Sequence, residues 1–306
     1  MSEKFEHPRL QERLLVFYTT DDEEILTNTV LMLSAYLVLA HKYTVEEALH
    51  PFSMIDGIPL KGYLDATYCQ PTMTLSLEWC TRGLARAMEL GWIDPASFDV
   101  DDYERFDDPG FLNANAINPK FIAFLGPETK SPQKQWNQFM HEPGEYVEEF
   151  QKRGVSTVVR LNEPSTYDKA VFERAGIEVV DLEFRDCTTP SPSIIKRFLD
   201  AVDNAKGVVA VHCKAGLGRT GTLIAIHMMK HDGFSGLEAI GFVRLMRPGS
   251  IIGPQQEFLR DLDDVVWDGN MIVSQHGVGP VDLVQAEKMA EQVASAAKGR
   301  GARASS

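Results

Sequence analysis

Apolar positions recur at helical spacing in the first third of the chain and at strand spacing in its middle. Asp21, Asp22, Glu23 and Glu24 put negative charge where a helix would start, and an apolar run over residues 25–39 follows. Thr27, Asn28, Thr29 and Ser34 interrupt that run, so it predicts a buried core helix and not a bilayer span. Thr44, followed by Glu46 and Glu47, predicts the capped start of a second helix. Leu75, Trp79, Leu84 and Met88 space a third helix over residues 74–90, with Gly91 as its stop. Residues 119–125 read as a short strand. Residues 129–138 are polar with a proline and read as a domain boundary, and residues 140–150 read as a linker helix.

From Val155 onward, strand and helix patterns alternate. Strands are predicted over 155–161, 178–184 and 207–212, and helices over 168–175, 193–204 and 220–230. The run Gly-Val-Val-Ala-Val-His at 207–212 is apolar throughout, as in a strand buried inside a parallel sheet. This order predicts an α/β fold. Residues 286–297 are helix-forming, and 298–306 read as a small, polar, disordered tail.

Composition changes this picture in two ways. The 306 residues carry 30 Lys and Arg against 44 Asp and Glu, a net charge of -14, which argues against nucleic-acid or anionic-membrane partners. The imbalance is concentrated in residues 1–125, with 9 Lys and Arg against 20 Asp and Glu. The chain therefore divides into an acidic front unit, 1–128, a linker, 129–150, a near-neutral unit, 151–272, and a C-terminal helix and tail, 273–306. The N-terminal residues Ser2, Glu3, Lys4, Phe5 and Glu6 show no apolar stretch, so no secretory signal is expected. The four cysteines, at 69, 80, 187 and 213, form neither a metal spacing nor a disulfide framework. No metal and no cofactor is expected, and a reducing compartment, nucleus or cytoplasm, is the expected location.

The candidate chemistry lies at the strand-to-helix turn His212-Cys213-Lys214-Ala215-Gly216-Leu217-Gly218-Arg219-Thr220. Gly216 and Gly218 allow backbone angles and close approach that a side chain forbids. The amides of Lys214, Ala215, Gly216, Leu217 and Gly218 can then point inward as an anion nest, to which the helix N-terminus adds its partial positive charge. Arg219 supplies a planar fork matched to two phosphate oxygens. That field favours the thiolate of Cys213, a nucleophile for phosphoryl transfer. Thr220 can donate its hydroxyl to the sulfur. The absence of Gly-Lys-Ser/Thr after the glycines excludes a nucleotide-binding P-loop.

The Cys-x5-Arg loop resembles that of the cysteine-dependent protein phosphatases. Residues 155–161, 184–190, 210–222 and the segment Arg-Pro-Gly-Ser-Ile-Ile-Gly-Pro-Gln-Gln at 247–256 narrow the resemblance to the cell division cycle 14 family of dual-specificity phosphatases. Ala35-Tyr36-Leu37, Phe98-Asp99-Val100-Asp101 and Phe121-Ile122-Ala123-Phe124 extend it into the front half, so that it covers residues 15–270. The resemblance implies two tandem dual-specificity-phosphatase-like domains joined by a linker helix. The first is degenerate, shortened before Val16 and devoted to substrate recognition; the second is catalytic.

The resemblance further assigns Asp186 as the general acid for the leaving oxygen. Cys187, the next residue, stands where the family usually has glycine. Gln255 and Gln256 match the segment that positions the hydrolytic water, and the sequence leaves open which of them does so. Glu104 and Asp107 match acidic residues of a groove that receives a basic residue downstream of a phosphoserine-proline. The implied activity is hydrolysis of phosphoserine or phosphothreonine before proline, and of phosphotyrosine, in cell-cycle control. Two alternatives stand beside it. A phosphoinositide phosphatase shares His-Cys-Lys-Ala-Gly but needs more positive charge in the loop than Leu217 offers. A non-catalytic phosphopeptide-binding module would not need Cys213, Arg219 and Asp186 together. The oligomeric state is not legible.

Overall fold

A computed structural model describes residues 7–8, 16–53, 60–67, 70–130, 139–263 and 265–274. The expected terminal helix and tail beyond residue 274, Cys69, and residues 131–138 of the expected boundary lie outside the described residues.

The front unit is helical. Helix α1, Glu23–His41, is capped by Asp22, whose carboxylate accepts from the amides of Glu24 and Ile25. By length and composition α1 could cross a membrane, but Leu26, Val30, Ser34 and Val38 form a buried face on it. Helix α2, Val45–Leu49, starts with a capping box between Thr44 and Glu47. Helix α3, Leu77–Glu89, ends before Gly91 at φ +70°. Helix α4, Val100–Asp107, which was not expected, is capped by Asp99 and carries Glu104 and Asp107. Among the described residues before 108, the only β pairing is the isolated bridge between Tyr63 and Leu75.

The remaining chain is built on a five-stranded sheet in the order β1-β2-β5-β3-β4. Its strands are β1, Ala114–Asn118, β2, Phe121–Phe124, β3, Val155–Arg160, β4, Glu178–Asp181, and β5, Val208–His212. β1 and β2 are antiparallel; β2, β5, β3 and β4 run parallel. The crossovers are helices α5, Pro143–Lys152, α6, Ala170–Arg174, and α7, Pro192–Asn204; α8, Gly218–Asp232, follows β5. Helices α9, Gly236–Met246, and α10, Pro254–Asp261, then lead to a two-stranded ribbon, β6, Val265–Asp268, and β7, Met271–Ser274. Strand alternation places Phe121, Ala123, Val159, Val209 and Val211 in one core, and Ile122, Phe124, Val158 and Ala210 in the other.

Three expectations change. The sheet crosses the division expected at 128 and 151, because β1 and β2 precede it and pair through β2 with β5. Composition reports surface charge, whereas sheet membership is decided by which distant strand supplies hydrogen bonds. The expected linker helix is α5, and it buries Tyr146 and Phe150 completely against Phe124, Phe172 and Val158 instead of standing apart. Finally, β7 runs from Met271 to Ser274 and so extends two residues into the unit of helix and tail expected from 273.

The front unit docks closely on the sheet-bearing unit. A Cβ at Gly83 of α3 would stand 2.4 Å from the Glu238 carbonyl oxygen, and one at Gly241 of α9 would stand 2.7 Å from that of Trp79. Only the paired glycines let these two helix backbones approach so nearly.

Candidate active site

β5 ends at His212, and Cys213 follows it, 2% exposed, as the chain turns into α8. The turn is shaped from three sides. Gly216 stands at φ +68°, and a Cβ there would lie 1.9 Å from the Phe124 carbonyl oxygen, so no other residue fits. His212 is wholly buried; its Nδ1–H donates to the Cys213 carbonyl at 3.0 Å, and the Tyr167 hydroxyl donates to its Nε2 at 2.9 Å. Burial pushes the His212 imidazole down to about 3, so the ring is neutral at pH 7 and keeps this tautomer. It orders the loop and does not shuttle protons.

The third support is Arg247, which pattern alone left between a structural role and a substrate contact. Its Nε donates to Gly216 O at 2.8 Å and Nη2 to Ala215 O at 3.2 Å. Nη1 donates to Asn115 Oδ1 at 2.5 Å and Nη2 to Asn113 Oδ1 at 2.9 Å. Burial pushes this guanidinium down to about 10, which leaves it charged at neutral pH. Arg247 is therefore a positioning residue that turns loop carbonyls outward and away from the anion. Arg247→Lys keeps the charge but cannot serve four acceptors from one plane. We expect kcat/KM on p-nitrophenyl phosphate to fall about 10²-fold, the scale of an ångström-sized misplacement. Steady-state kinetics beside a thermal melt check this, and wild-type kinetics in a folded variant would contradict it.

Arg219 opens α8 from a buried position. Its Nη1 donates to Leu161 O at 2.9 Å and Phe184 O at 2.7 Å, which fixes the plane of the guanidinium. Its Nε is buried without a hydrogen-bond partner. That atom lies 3.2 Å from Asp186 Oδ1, within ion-pair distance but without hydrogen-bond geometry. The fork is thus anchored at one end and available at the other. The Thr220 hydroxyl, one residue on, is also buried without a partner. Along the loop, Lys214 and Ala215 are exposed, Leu217 is half-buried, and Gly216 and Gly218 are buried.

Asp186 lies on the loop after β4, with its side chain 57% exposed. Its Oδ1 accepts from the Cys187 amide at 3.1 Å. Cys187 stands at φ +57°, a left-handed conformation that glycine adopts more cheaply. The thiol is exposed and forms no disulfide.

The two glutamines separate. Gln255 is wholly buried; its Nε2 donates to Thr188 O at 3.0 Å, and its Oε1 accepts from the Ile252 amide at 3.1 Å. A methyl on Gly218 would stand 2.9 Å from that Oε1, so Gln255 lies against the phosphate loop while holding the loop of Asp186. Gln256 faces elsewhere: its Oε1 accepts from Arg244 Nη2 at 2.8 Å.

The acidic candidates also separate. Glu104 is exposed on α4, whereas Asp107 is half-buried and accepts from Asn115 Nδ2 at 2.9 Å. Asp107 thus continues the chain Arg247–Asn115 toward the loop. Asp102, from the same stretch, faces Arg153 at 2.7 and 2.9 Å and Arg105 at 3.0 Å. Burial works against the Asp102 carboxylate, but those guanidinium hydrogen bonds hold it below its usual range.

Sequence reasoning missed Asn113, Asn115, Tyr167 and Asp65. Asp65, from the front unit, accepts from the Gly253 amide at 2.5 Å, at the start of α10. Ala66 is neighbour to Gly249, which also approaches Leu217. The front unit therefore reaches the rim of the loop. Asn113, at φ +47°, could have been suspected as a turn residue; the other three carried no local signal.

Comparison with known proteins gives a consistent picture. Residues 134–265 match the dual specificity phosphatase catalytic domain, and residues 1–87 match the N-terminal half of dual specificity protein phosphatases. The chain is 40% identical over 269 residues to human dual specificity protein phosphatase CDC14A, covering 87% of this chain and 45% of that protein. It is 36% identical over 259 residues to tyrosine-protein phosphatase CDC14 of Saccharomyces cerevisiae, covering 82% and 47%. It thus spans about half the length of these relatives. Among solved structures, Tk-PTP in its active form is 27% identical over 49% of this chain and 95% of its own, at a TM-score of 0.40.

Proposed function

The chain belongs to the cell division cycle 14 family of dual-specificity phosphatases, and on that premise we propose that it hydrolyses phosphoserine or phosphothreonine before proline, and phosphotyrosine, in cell-cycle control. The observation that carries this reading is the Cys213–Arg219 loop, with Arg219 anchored on two carbonyls and its Nε left free to donate.

In this mechanism the Cys213 thiolate attacks phosphorus, forming the S–P bond as the P–O bond to the substrate breaks. Arg219 and the loop amides hold the equatorial oxygens. Asp186 gives its proton to the leaving oxygen. A water ordered by Gln255 then attacks phosphorus and passes its proton to Asp186, and the sulfur leaves, steadied by the Thr220 hydroxyl. An amide suits the water site because it donates and accepts without titrating. The rim of half-buried Leu217 and Gly249 with exposed Ala66 offers an apolar surface for a proline ring next to the phosphoserine.

The test compares p-nitrophenyl phosphate, a phosphoserine-proline peptide with Lys three residues on, and a soluble phosphoinositide. We expect turnover of the first two and little of the third. Preferred turnover of the phosphoinositide would replace the reading with a lipid phosphatase, and binding of the peptide without turnover would replace it with a recognition module.

Glu104 is the acidic residue proposed to meet the downstream base. Glu104→Lys should raise KM about fivefold for the basic peptide, the scale of one exposed charge pair. It should leave p-nitrophenyl phosphate unchanged, and the wild-type preference should weaken with salt. Asp107→Lys is expected to behave differently and to slow both substrates, because Asp107 supports Asn115 and through it Arg247. An unchanged preference for basic peptides in Glu104→Lys would reduce the acidic face to a solubilising surface.

A further inference from the structure

We propose that Asp203, His227 and His231 form a divalent transition-metal site of the zinc class, separate from the phosphatase centre. His227 and His231 lie four residues apart on one face of α8, and Asp203 comes from the end of α7. One ligand atom from each can be chosen so that all three lie within 4.8 Å of one another. The imidazoles stack with centroids 4.4 Å apart, and His231 Nε2 is 3.8 Å from Asp203 Oδ1. Among the described residues this is the one group of three such side chains.

The surroundings are those of a ligand set held from behind. The buried His227 Nδ1 has no hydrogen-bond partner and faces the Asp232 carboxylate at 3.7 Å. At 3.7 Å the carboxylate does not hydrogen-bond the ring as it stands, but a small shift would complete the carboxylate–histidine pair found behind zinc ligands and offer Nε2 to the metal. The His227 ring is also fixed edge-on against Phe121 at 4.9 Å. Asp203 is held in the same way: its Oδ2 accepts from Asn270 Nδ2 at 2.8 Å, which leaves Oδ1 toward His231. Lys230, on the same helix as the histidines, is drawn off to Asn270 Oδ1 and the Trp267 ring, while Asp200 adds a further negative charge.

Zinc bonds of about 2.0–2.2 Å would bring the ligand atoms to about 3.3 Å from one another. His231 and Asp203, with side chains 35% and 43% exposed, have the freedom to close that distance. Water would complete the tetrahedron. The two histidines lie about 12 and about 18 Å along α8 from Arg219, at about 1.5 Å per residue. The effect of the site is on architecture: it clamps α7 to α8 and, through Asn270, to the β6–β7 turn. The sequence expectation of no metal passed over the His227-x3-His231 spacing, and Asp203, on another helix, carried no local signal as a third ligand.

The test uses the full chain carrying Cys213→Ser, so that the reactive thiolate does not bind metal. After chelator treatment, zinc is titrated by calorimetry and the thermal midpoint is followed with and without it. One equivalent should bind and raise the midpoint. Adding Asp203→Asn with His231→Gln should weaken zinc at least about tenfold and abolish the shift. His231→Gln alone, at a partly exposed position, serves should the double variant unfold. Cobalt bound in place of zinc should give tetrahedral visible bands without thiolate-to-metal charge transfer. Undiminished zinc affinity in the variants, no stoichiometric zinc in the parent, or thiolate charge transfer would each overturn the site.

Discussion

Cys213→Ser should lower turnover of p-nitrophenyl phosphate and of phosphopeptides on the order of 10⁵-fold or more, the scale of losing a nucleophile outright. Phosphopeptide binding should survive. The substitution leaves the cradle intact, because nothing that shapes the loop comes from the sulfur. The His212 bond goes to the Cys213 backbone carbonyl, Arg247 holds the carbonyls of Ala215 and Gly216, and Arg219 is anchored on Leu161 and Phe184. A serine hydroxyl of nearly the same size fits the buried position but supplies no anionic nucleophile at neutral pH. Steady-state rates, with fluorescence anisotropy of a labelled phosphopeptide, check both halves. Turnover within tenfold of wild type, after host phosphatases are removed, would refute Cys213 as nucleophile.

Asp186→Ala has the second largest expected effect, about 10²–10⁴-fold on a phosphoserine peptide. Its effect on p-nitrophenyl phosphate should be far smaller, since that leaving group departs with little help. The structure explains how an exposed carboxyl can serve as this acid. Its loop is tied at Thr188 to Gln255, which lies against the loop of Cys213, so the residues proposed as acid and as water-ordering amide are linked through one hydrogen bond. Asp186 Oδ1 is 3.2 Å from Arg219 Nε, the region a phosphate dianion would enter. Like charge then turns the carboxyl away from Arg219 and toward the leaving oxygen. Equal losses on both substrates would instead make Asp186 a loop-scaffolding residue.

The reactive loop was legible because its parts are contiguous. Cys213 through Thr220 occupy one strand-to-helix turn, and the conformations this turn requires exclude most residue types. Helix starts were legible for the same reason: Asp22 and the Thr44–Glu47 capping box act within three residues of themselves. The two glutamines were not separable, because they differ only in what lies across space from each. Gln255 meets Thr188, and Gln256 meets Arg244. Arg247 reads as one more basic residue until Asn113 and Asn115, far earlier in the chain, are placed beside it.

The acidic stretch shows the limit of charge counting. Its residues are adjacent in sequence, yet α4 sends Asp102 into a guanidinium cluster and Asp107 toward Asn115, and leaves Glu104 to solvent. A helix distributes neighbours around its axis, so one run of like charge becomes three different environments.

By itself, then, the sequence determined what depends on neighbours a few residues away: the helix caps, the apolar strand Val208–His212, and the anion cradle that follows it. Only the tertiary structure decided what depends on distant partners. It joined β1 and β2 to the sheet across the expected boundary, and it packed α5 into the core. It also drew Asp65 to the start of α10 and braced the loop with Arg247. Local conformation follows from steric and capping preferences written in adjacent residues. Pairing between remote segments follows from burial and hydrogen-bond satisfaction over the whole chain, which no short window contains.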